Sequence, residues 1–431
     1  MEGRQPLRPL GQRRDHGRRG ARAILAAMKV RSLLQNGVLA LFTCVACALA
    51  IEGAARISEA MRVRRAARAL QEEGPLDRYS PLLGWEKNPG SERLIVRPEF
   101  TIHLKINAHG LRGPDRDYQK PAGVRRVLLL GDSFTAGYYA EEEQTLRAVL
   151  EAELNARCSS RWEVINGGTG AYSTDQELLF YTSEGVRYDP DVVVLLFYYN
   201  DLAYNVSPRA VSGEHKPYFE LREGRLVLEG TPTPRPKKGQ HNRQNPAVAR
   251  LAPWHGSIAL RMLSRRTSNS NPRLHAFLSR LGLVPPISTH PPGEMCVYGA
   301  GVEAQRMWGV TRAILAQLNE DVQRRHARLL VFYVPARFEV NDSVWQLTRE
   351  RYGLDPDQGW NRQRVITMLS YVCHLLDIPL VDPRSALEEA ERQGPPAYYT
   401  RDVHWTAVGN RVAAEVLGPE IREIACAGAM R

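Results

Sequence analysis

Ser133 stands in Gly131-Asp132-Ser133-Phe134-Thr135, directly after the apolar run 127–130. A serine hydroxyl is a weak nucleophile until a neighbouring base takes its proton. Asp402-Val403-His404-Trp405-Thr406, near the other end of the chain, supplies a base, His404, and an acid two residues before it. Residues two apart on an extended loop point the same way, so Asp402 can orient His404 through one ring nitrogen and leave the other for Ser133. Attack on a carbonyl develops an oxyanion, which needs neutral donors fixed around it. Asn166-Gly167-Gly168 and Tyr199-Asn200-Asp201 offer the Gly168 N–H and the Asn200 amide. Taken singly, these strings have plain readings: two turns, a helix cap and a surface Asp-x-His. No third metal ligand falls at helical or hairpin spacing from His404, no His-Glu-x-x-His occurs, and no cofactor is implied. Gly-x-Ser-x-Gly, the nucleophile elbow of another hydrolase class, is absent.

The order of these strings gives them joint meaning, because each follows a segment that reads as a buried strand. Residues 127–130, 162–165 and 192–197 are short apolar runs bounded by turn signals, and further strands are predicted at 329–334 and 378–381. Between them the spacing predicts helices over 143–157, 174–184, 301–325 and 361–376, with another from 407 to about 417. Glu141, Glu142 and Glu143 are expected at a helix start, where acidic side chains suit the dipole. Strands alternating with helices imply an α/β fold, a parallel sheet with helices on both faces. Ser133, Gly168 and Asn200 then meet at the carboxyl edge, where such sheets bind ligands. From about 203 to 300 the rhythm stops in Pro/Ser/Asn-rich text, an insertion expected either to shape the substrate site or to be an ordinary excursion. Residues 107–113 form a turn-rich lead-in.

The net charge of +11 suggests nucleic acid until it is mapped. Residues 1–32 hold nine Lys/Arg and two Asp/Glu, leaving +4 on the other 399 residues. No dense basic stripe with interleaved aromatics is evident, so no nucleic-acid partner is expected. The arm precedes an uncharged stretch, 33–51, just long enough for a transmembrane helix. The positive-inside rule would keep the arm cytoplasmic and the bulk of the chain outside, although Arg56, Arg62, Arg64, Arg65 and Arg68 weaken the bias. A cleaved signal peptide is the alternative, with Ala48-Leu49-Ala50 as a cleavage site and Met28 as a possible start; Arg13-Arg14 is a poor twin-arginine signal. The expected organisation is a basic arm at 1–32, a membrane helix or signal anchor at 33–51, a helical stalk and lead-in at 52–120, and a catalytic domain at 121–420. Six cysteines show no metal spacing: Cys44 and Cys47 lie in the apolar run, while Cys158, Cys296, Cys373 and Cys426 are isolated and free to pair in an oxidising compartment.

VLLLGDSFTAG, EVINGGTGAYSTDQE and DPDVVVLLFYYND, together with His404, resemble the blocks of the GDSL/SGNH hydrolase family over roughly 125–418. The lead-in 107–113 is similar to membrane-anchored bacterial members. The resemblance implies a flavodoxin-like three-layer α/β/α sandwich, metal-free ester hydrolysis by Ser133, His404 and Asp402, and an oxyanion hole in which the Ser133 and Gly168 N–H groups join Asn200. Three departures stand out. Tyr198 replaces a frequent glycine, which should change the pocket wall. Ala171 also replaces a glycine and should alter loop conformation only. Asp402 lies two residues before the histidine rather than three, a spacing similar to the alginate O-acetylation branch. Three functions follow: an esterase or deacylase acting on an O-acyl ester, as of envelope carbohydrate or lipid; an O-acyltransferase passing the acyl group to a glycan hydroxyl; and an idle binding or assembly protein.

Overall fold

The computed structural model describes residues 28, 29, 31, 35–61, 75–97, 99–235, 257–270, 272–284, 293–299, 301–400 and 402–427. The basic arm therefore lies almost wholly outside the described residues. The chain divides into two compact units, Met1–Ala67 with Ala247–Pro285, and Arg68–Pro246 with Pro286–Arg431. In the first unit, α1 (Gln35–Met61) is 27 residues long and apolar enough to cross a membrane or to act as a signal sequence.

The second unit opens on two antiparallel hairpins, β1 (Asp77–Ser80) with β2 (Gly84–Lys87), and β3 (Glu92–Val96) with β4 (Thr101–Lys105). Residues 77–80, expected in a helical stalk, are thus a strand: the preceding Pro75 has no backbone N–H to give to a helix. Then come β5 (Val124–Leu130), α2 (Ser133–Ala136), α3 (Leu146–Arg157), β6 (Arg161–Asn166), α4 (Thr174–Ser183), β7 (Val192–Tyr198) and α5 (Asp201–Tyr204). The interrupted stretch supplies a hairpin, β8 (Tyr218–Arg222) with β9 (Arg225–Glu229), and, in the first unit, α6 (Ile258–Ser270) and α7 (Pro272–Arg280). The remainder is α8 (Val302–Gln323), β10 (Arg328–Val334), α9 (Arg337–Val340), α10 (Asp342–Tyr352), α11 (Arg364–Leu375), β11 (Leu380–Val381), α12 (Arg384–Gln393) and α13 (Ala407–Ala427).

Five strands make one sheet in the order β11-β10-β7-β5-β6, every neighbouring pair parallel. Counted along the chain this is 2-1-3-4-5, the flavodoxin-like winding, with its switch point between β5 and β7. All seven residues of β7 are buried, as befits a parallel strand covered on both faces. Packed helices cover the sheet, with α3 against α13 and α4 against α8. Asp191 fixes the amino-terminal edge: its carboxylate accepts the Arg126 N–H at 2.7 Å and its carbonyl the Arg328 N–H at 3.1 Å. The glutamates at 141–143 do not open α3. Glu142–Gln144 form a separate 3-10 turn, and Thr145 caps α3 by accepting from the Ala148 N–H.

The first part of the interrupted stretch is bound into the core by charge. Lys216 is buried and pairs with the equally buried Asp175, also donating to the Pro217 carbonyl at 2.9 Å. Glu177 and Asp201 are buried as well. Burial first, and then the negative charges of Asp201 and Asp132 on Glu177 and of Asp132 on Asp201, push both carboxyls well above their ordinary range. Among the described residues whose charges act on this acidic group, Lys216 is the cation that lowers all three. Breaking a buried ion pair from one side costs roughly 3–5 kcal/mol. Lys216→Met should therefore lower the unfolding free energy by about that amount, read from denaturant unfolding; a loss below about 1 kcal/mol would contradict this account.

Candidate active site

The turn after β5 is built by Gly131 and Asp132. Gly131 has φ 154°, and a Cβ on it would sit 2.0 Å from Thr135 Oγ1. Asp132 caps α2, its Oδ1 accepting the Phe134 N–H at 2.9 Å, so Ser133 is the first residue of that helix. The first N–H groups of a helix have no partner within it, which leaves the Ser133 N–H at the edge of the sheet.

The loop after β6 is fastened onto this turn. Gly167 N–H donates to Leu129 O at 2.8 Å, Thr169 N–H to Gly131 O at 3.0 Å, and Asn166 Nδ2 to Thr135 O at 3.0 Å. Gly168 is held so close that a Cβ there would lie 2.5 Å from Ala136 N and 2.6 Å from Thr135 Cβ. Its N–H donates to Asn166 Oδ1 at 3.0 Å, so this expected oxyanion donor already has an internal acceptor. Ala171 keeps φ 65°, the left-handed backbone that glycine adopts freely. Alanine holds this conformation at a backbone cost. Asn200, at the amino end of α5, makes no side-chain capping bond. Tyr198 is buried, its ring 5.0 Å from that of Phe134.

His404 reaches Ser133 across 271 residues of sequence, with Nε2 2.7 Å from Ser133 Oγ. On its other side Nδ1 bonds Asp402 Oδ1, which also accepts the His404 backbone N–H at 3.1 Å. Acid and base are thus aligned by an Asx-type turn, not by the alternation of an extended loop. Burial raises the Asp402 carboxyl, but the hydrogen bonds and charge of His404 outweigh it and leave the group below its ordinary value. The turn is closed by Tyr399 N–H to His404 O at 3.0 Å and Thr406 N–H to Ala397 O at 2.8 Å. Tyr139 stacks on the imidazole with centroids 3.6 Å apart at 11°, and Phe134 lies 4.7 Å from it. A hydroxyl, an imidazole and a carboxylate in this chain can carry out general-base-assisted nucleophilic attack.

Two contributors escaped sequence reasoning. Arg112, in the lead-in, is buried and donates to the carbonyls of Ala136 (3.4 Å), Gly137 and Ala140 (2.6 Å) and to Glu142 (3.0 Å). It gathers the carbonyls that follow α2 and bears on the turn carrying Ser133. An arginine between Leu111 and Gly113 in an otherwise uncharged turn was its signal. Tyr139 had no signal, since its partner is 265 residues away in sequence.

Two substitutions check these forces. Asp132 is buried, and burial pushes its carboxyl up to about 6 against the opposing Phe134 N–H. An acid raised on folding stabilises the native state below its ordinary pKa and loses that contribution as pH climbs from about 4 to about 6. Asp132→Asn retains an acceptor for Phe134 and removes the charge. Relative to wild type its Tm should therefore improve from pH 4 to pH 7, by no more than about 3 kcal/mol in stability; a pH-independent difference would refute the burial account. Ala171→Gly should stabilise the protein by up to about 1 kcal/mol, with an unchanged or lower Tm as the contrary result.

Comparison with known proteins supplies the lineage. The family model described as GDSL-like Lipase/Acylhydrolase family matches residues 129–412. No curated protein gives a significant match. Solved structures similar to this chain include a lipase/acylhydrolase from Enterococcus faecalis, at 14% identity over 69% of this chain and 96% of that one, with a TM-score of 0.36. An acetyl xylan esterase shares 14% identity over 69% of this chain and 99% of its own, with a TM-score of 0.35. A GDSL-like lipase from Bacteroides thetaiotaomicron shares 12% over 69% and 88%, with a TM-score of 0.31. With the family model covering more than half of its length, the chain belongs to the GDSL-like lipase/acylhydrolase family.

Proposed function

We propose that the protein is a membrane-anchored serine esterase that removes an O-acyl group, with its catalytic domain outside the cytoplasm. The 2.7 Å approach of His404 Nε2 to Ser133 Oγ carries this reading. His404 accepts the Ser133 proton as Oγ bonds to the ester carbonyl carbon, and Asp402 stabilises the imidazolium. The oxyanion is received by the Ser133 N–H, the Gly168 N–H shared with Asn166 Oδ1, and the Asn200 amide. His404 returns its proton to the departing alkoxide, leaving Ser133 acylated. Water, deprotonated by His404, then attacks the acyl carbon, and as the acid leaves His404 returns the proton to Ser133 Oγ. The basic arm before α1 favours an exported domain, which makes acylated envelope carbohydrate or lipid the substrate class.

The short Asp402–His404 spacing followed by Trp405 favours a second reading, in which a glycan hydroxyl takes the acyl group in place of water. Both readings require an acyl-Ser133. The detergent-solubilised chain should cleave a short-chain nitrophenyl ester, and Ser133→Ala should reduce kcat by about 10³-fold or more. Turnover surviving that substitution would reject the nucleophile. Failure of a fluorophosphonate to label the wild type would instead favour an idle binding protein. Recovery of the acyl group on added polysaccharide would assign transfer, and release as free acid would assign hydrolysis.

A further inference from the structure

The +4 left after the basic arm conceals two opposite charges. Residues 230–293 contain ten Lys/Arg and no Asp/Glu, so the chain outside this stretch and the arm is net acidic. The described core of this stretch is the helix pair α6 and α7, and five of those arginines lie between 257 and 284. The pair folds back on itself through Thr267 and His275, both buried, with Oγ1 2.8 Å from the ring Nδ1. Several of its large apolar side chains are exposed. Leu274, Phe277 and Leu281 recur at i, i+3 and i+7, the last two 58% and 57% exposed, and Met262 of α6 is 50% exposed. Arg261, Arg266 and Arg280 are exposed beside them. Large exposed apolar side chains at helical spacing, in a stretch whose charged residues are all basic, have the composition of a helix that lies in a membrane interface.

The position of the pair points to the same partner. Glu52 ends the uncharged run of α1, and its carboxylate accepts the Ser257 hydroxyl at 2.7 Å and the Ile258 and Ala259 N–H groups at 3.0 and 3.1 Å. One carboxylate thus joins α1 to the amino end of α6. The helical run 35–51 is about 26 Å long at 1.5 Å per residue, close to the roughly 30 Å of a hydrocarbon core. Glu52 then falls at the membrane–water boundary, and the start of α6 with it. A helix held at that level with exposed leucine and phenylalanine meets lipid before it meets solvent. The basic excess of the 230–293 stretch suits anionic headgroups.

We propose that α6 and α7 form an interfacial element that lies on the anionic membrane surface beside α1, Phe277 and Leu281 reaching the acyl chains and the arginines meeting lipid phosphates. This rests on the reading of α1 as a membrane span. It adds a second, peripheral contact with the lipid to that span.

The test uses the full chain with its cysteines replaced by alanine, retaining wild-type labelling by fluorophosphonate. Nitroxide side chains are placed through Phe277→Cys, Leu281→Cys or Leu41→Cys, and the protein is reconstituted in phosphatidylcholine vesicles with or without phosphatidylglycerol. Collision with dissolved oxygen reports lipid, and collision with a water-soluble nickel chelate reports water. With phosphatidylglycerol present, the labels at 277 and 281 should collide with oxygen and be shielded from the chelate, as at 41. Changing Arg261, Arg266 and Arg280 to glutamate should return them to chelate exposure. Full chelate exposure at 277 and 281 with a shielded 41 would overturn the proposal and leave the span intact. Low collision with both reagents would indicate protein cover and also overturn it. Insensitivity to phosphatidylglycerol and to the charge reversal would overturn the anionic preference. Chelate exposure at 41 would instead reject the span on which the proposal rests.

Discussion

Parallel pairing of β6, β5 and β7 is the constraint on which the reactive centre depends. A parallel strand buried on both faces has no room for polar side chains along its length, so polar chemistry is displaced to the points where the strands stop. Because all five strands run the same way, those points share one edge. The winding reverses between β5 and β7, the place where sheets of this class bind ligands. Ser133 and Asn200 follow those two strands at the carboxyl edge. Gly168 enters from the neighbouring β6, pressed against the serine turn with no space for a side chain. His404 is brought in from the far end of the chain by a turn that needs only Asp402 and two backbone bonds to Tyr399 and Ala397.

Much of the remaining architecture is charge placed where it has no water. Arg126 and Glu163, neighbours on β5 and β6, pair at 3.0 Å in the core, and Arg126 also donates to the carbonyls of Asp117, Tyr118 and Tyr188. Arg112 performs a similar service at the opposite edge. Such groups add little net stability over an apolar replacement, yet they tolerate only one arrangement of their partners. The two arginines therefore specify where the lead-in lies: Arg126 holds residues 117–118 at the amino edge, and Arg112 holds the carbonyls after α2 at the carboxyl edge. The segment before the sheet is a brace for the site as much as a connection.

The sheet was legible because its signals are local. Each long apolar run between turn residues became a strand within a residue or a few of its expected bounds, and the helices at 174–183 and 302–323 followed their periodicity. Ser133, His404 and Asp402 were legible as types and in their order, and the chain brings them together. What escaped was whatever depends on contacts remote in sequence or on cancellation. Arg112 looks like a surface charge until the carbonyls around it are seen, and α10 and α12 set only a few core-facing residues, Trp345 and Tyr352 in one and Ala386, Leu387 and Ala390 in the other, among charged ones. The charge of the 230–293 stretch vanished into a total that the acidic remainder offset. Ala171 shows the converse, a residue whose type argues against the backbone it in fact adopts.

The stacking of Tyr139 on His404 sets a limit on the order of events at the proposed site. With one face of the imidazole covered by a parallel ring and Phe134 close by, the base has little freedom to swing between two stations. On the proposed mechanism a single ring orientation then serves both proton transfers, so the departing alcohol and the incoming acceptor meet the same face of Nε2 in turn. The acceptor cannot wait beside the leaving group; it enters only once the alcohol has gone. Whichever acceptor fits that vacated place faster, water or a sugar hydroxyl, determines the product.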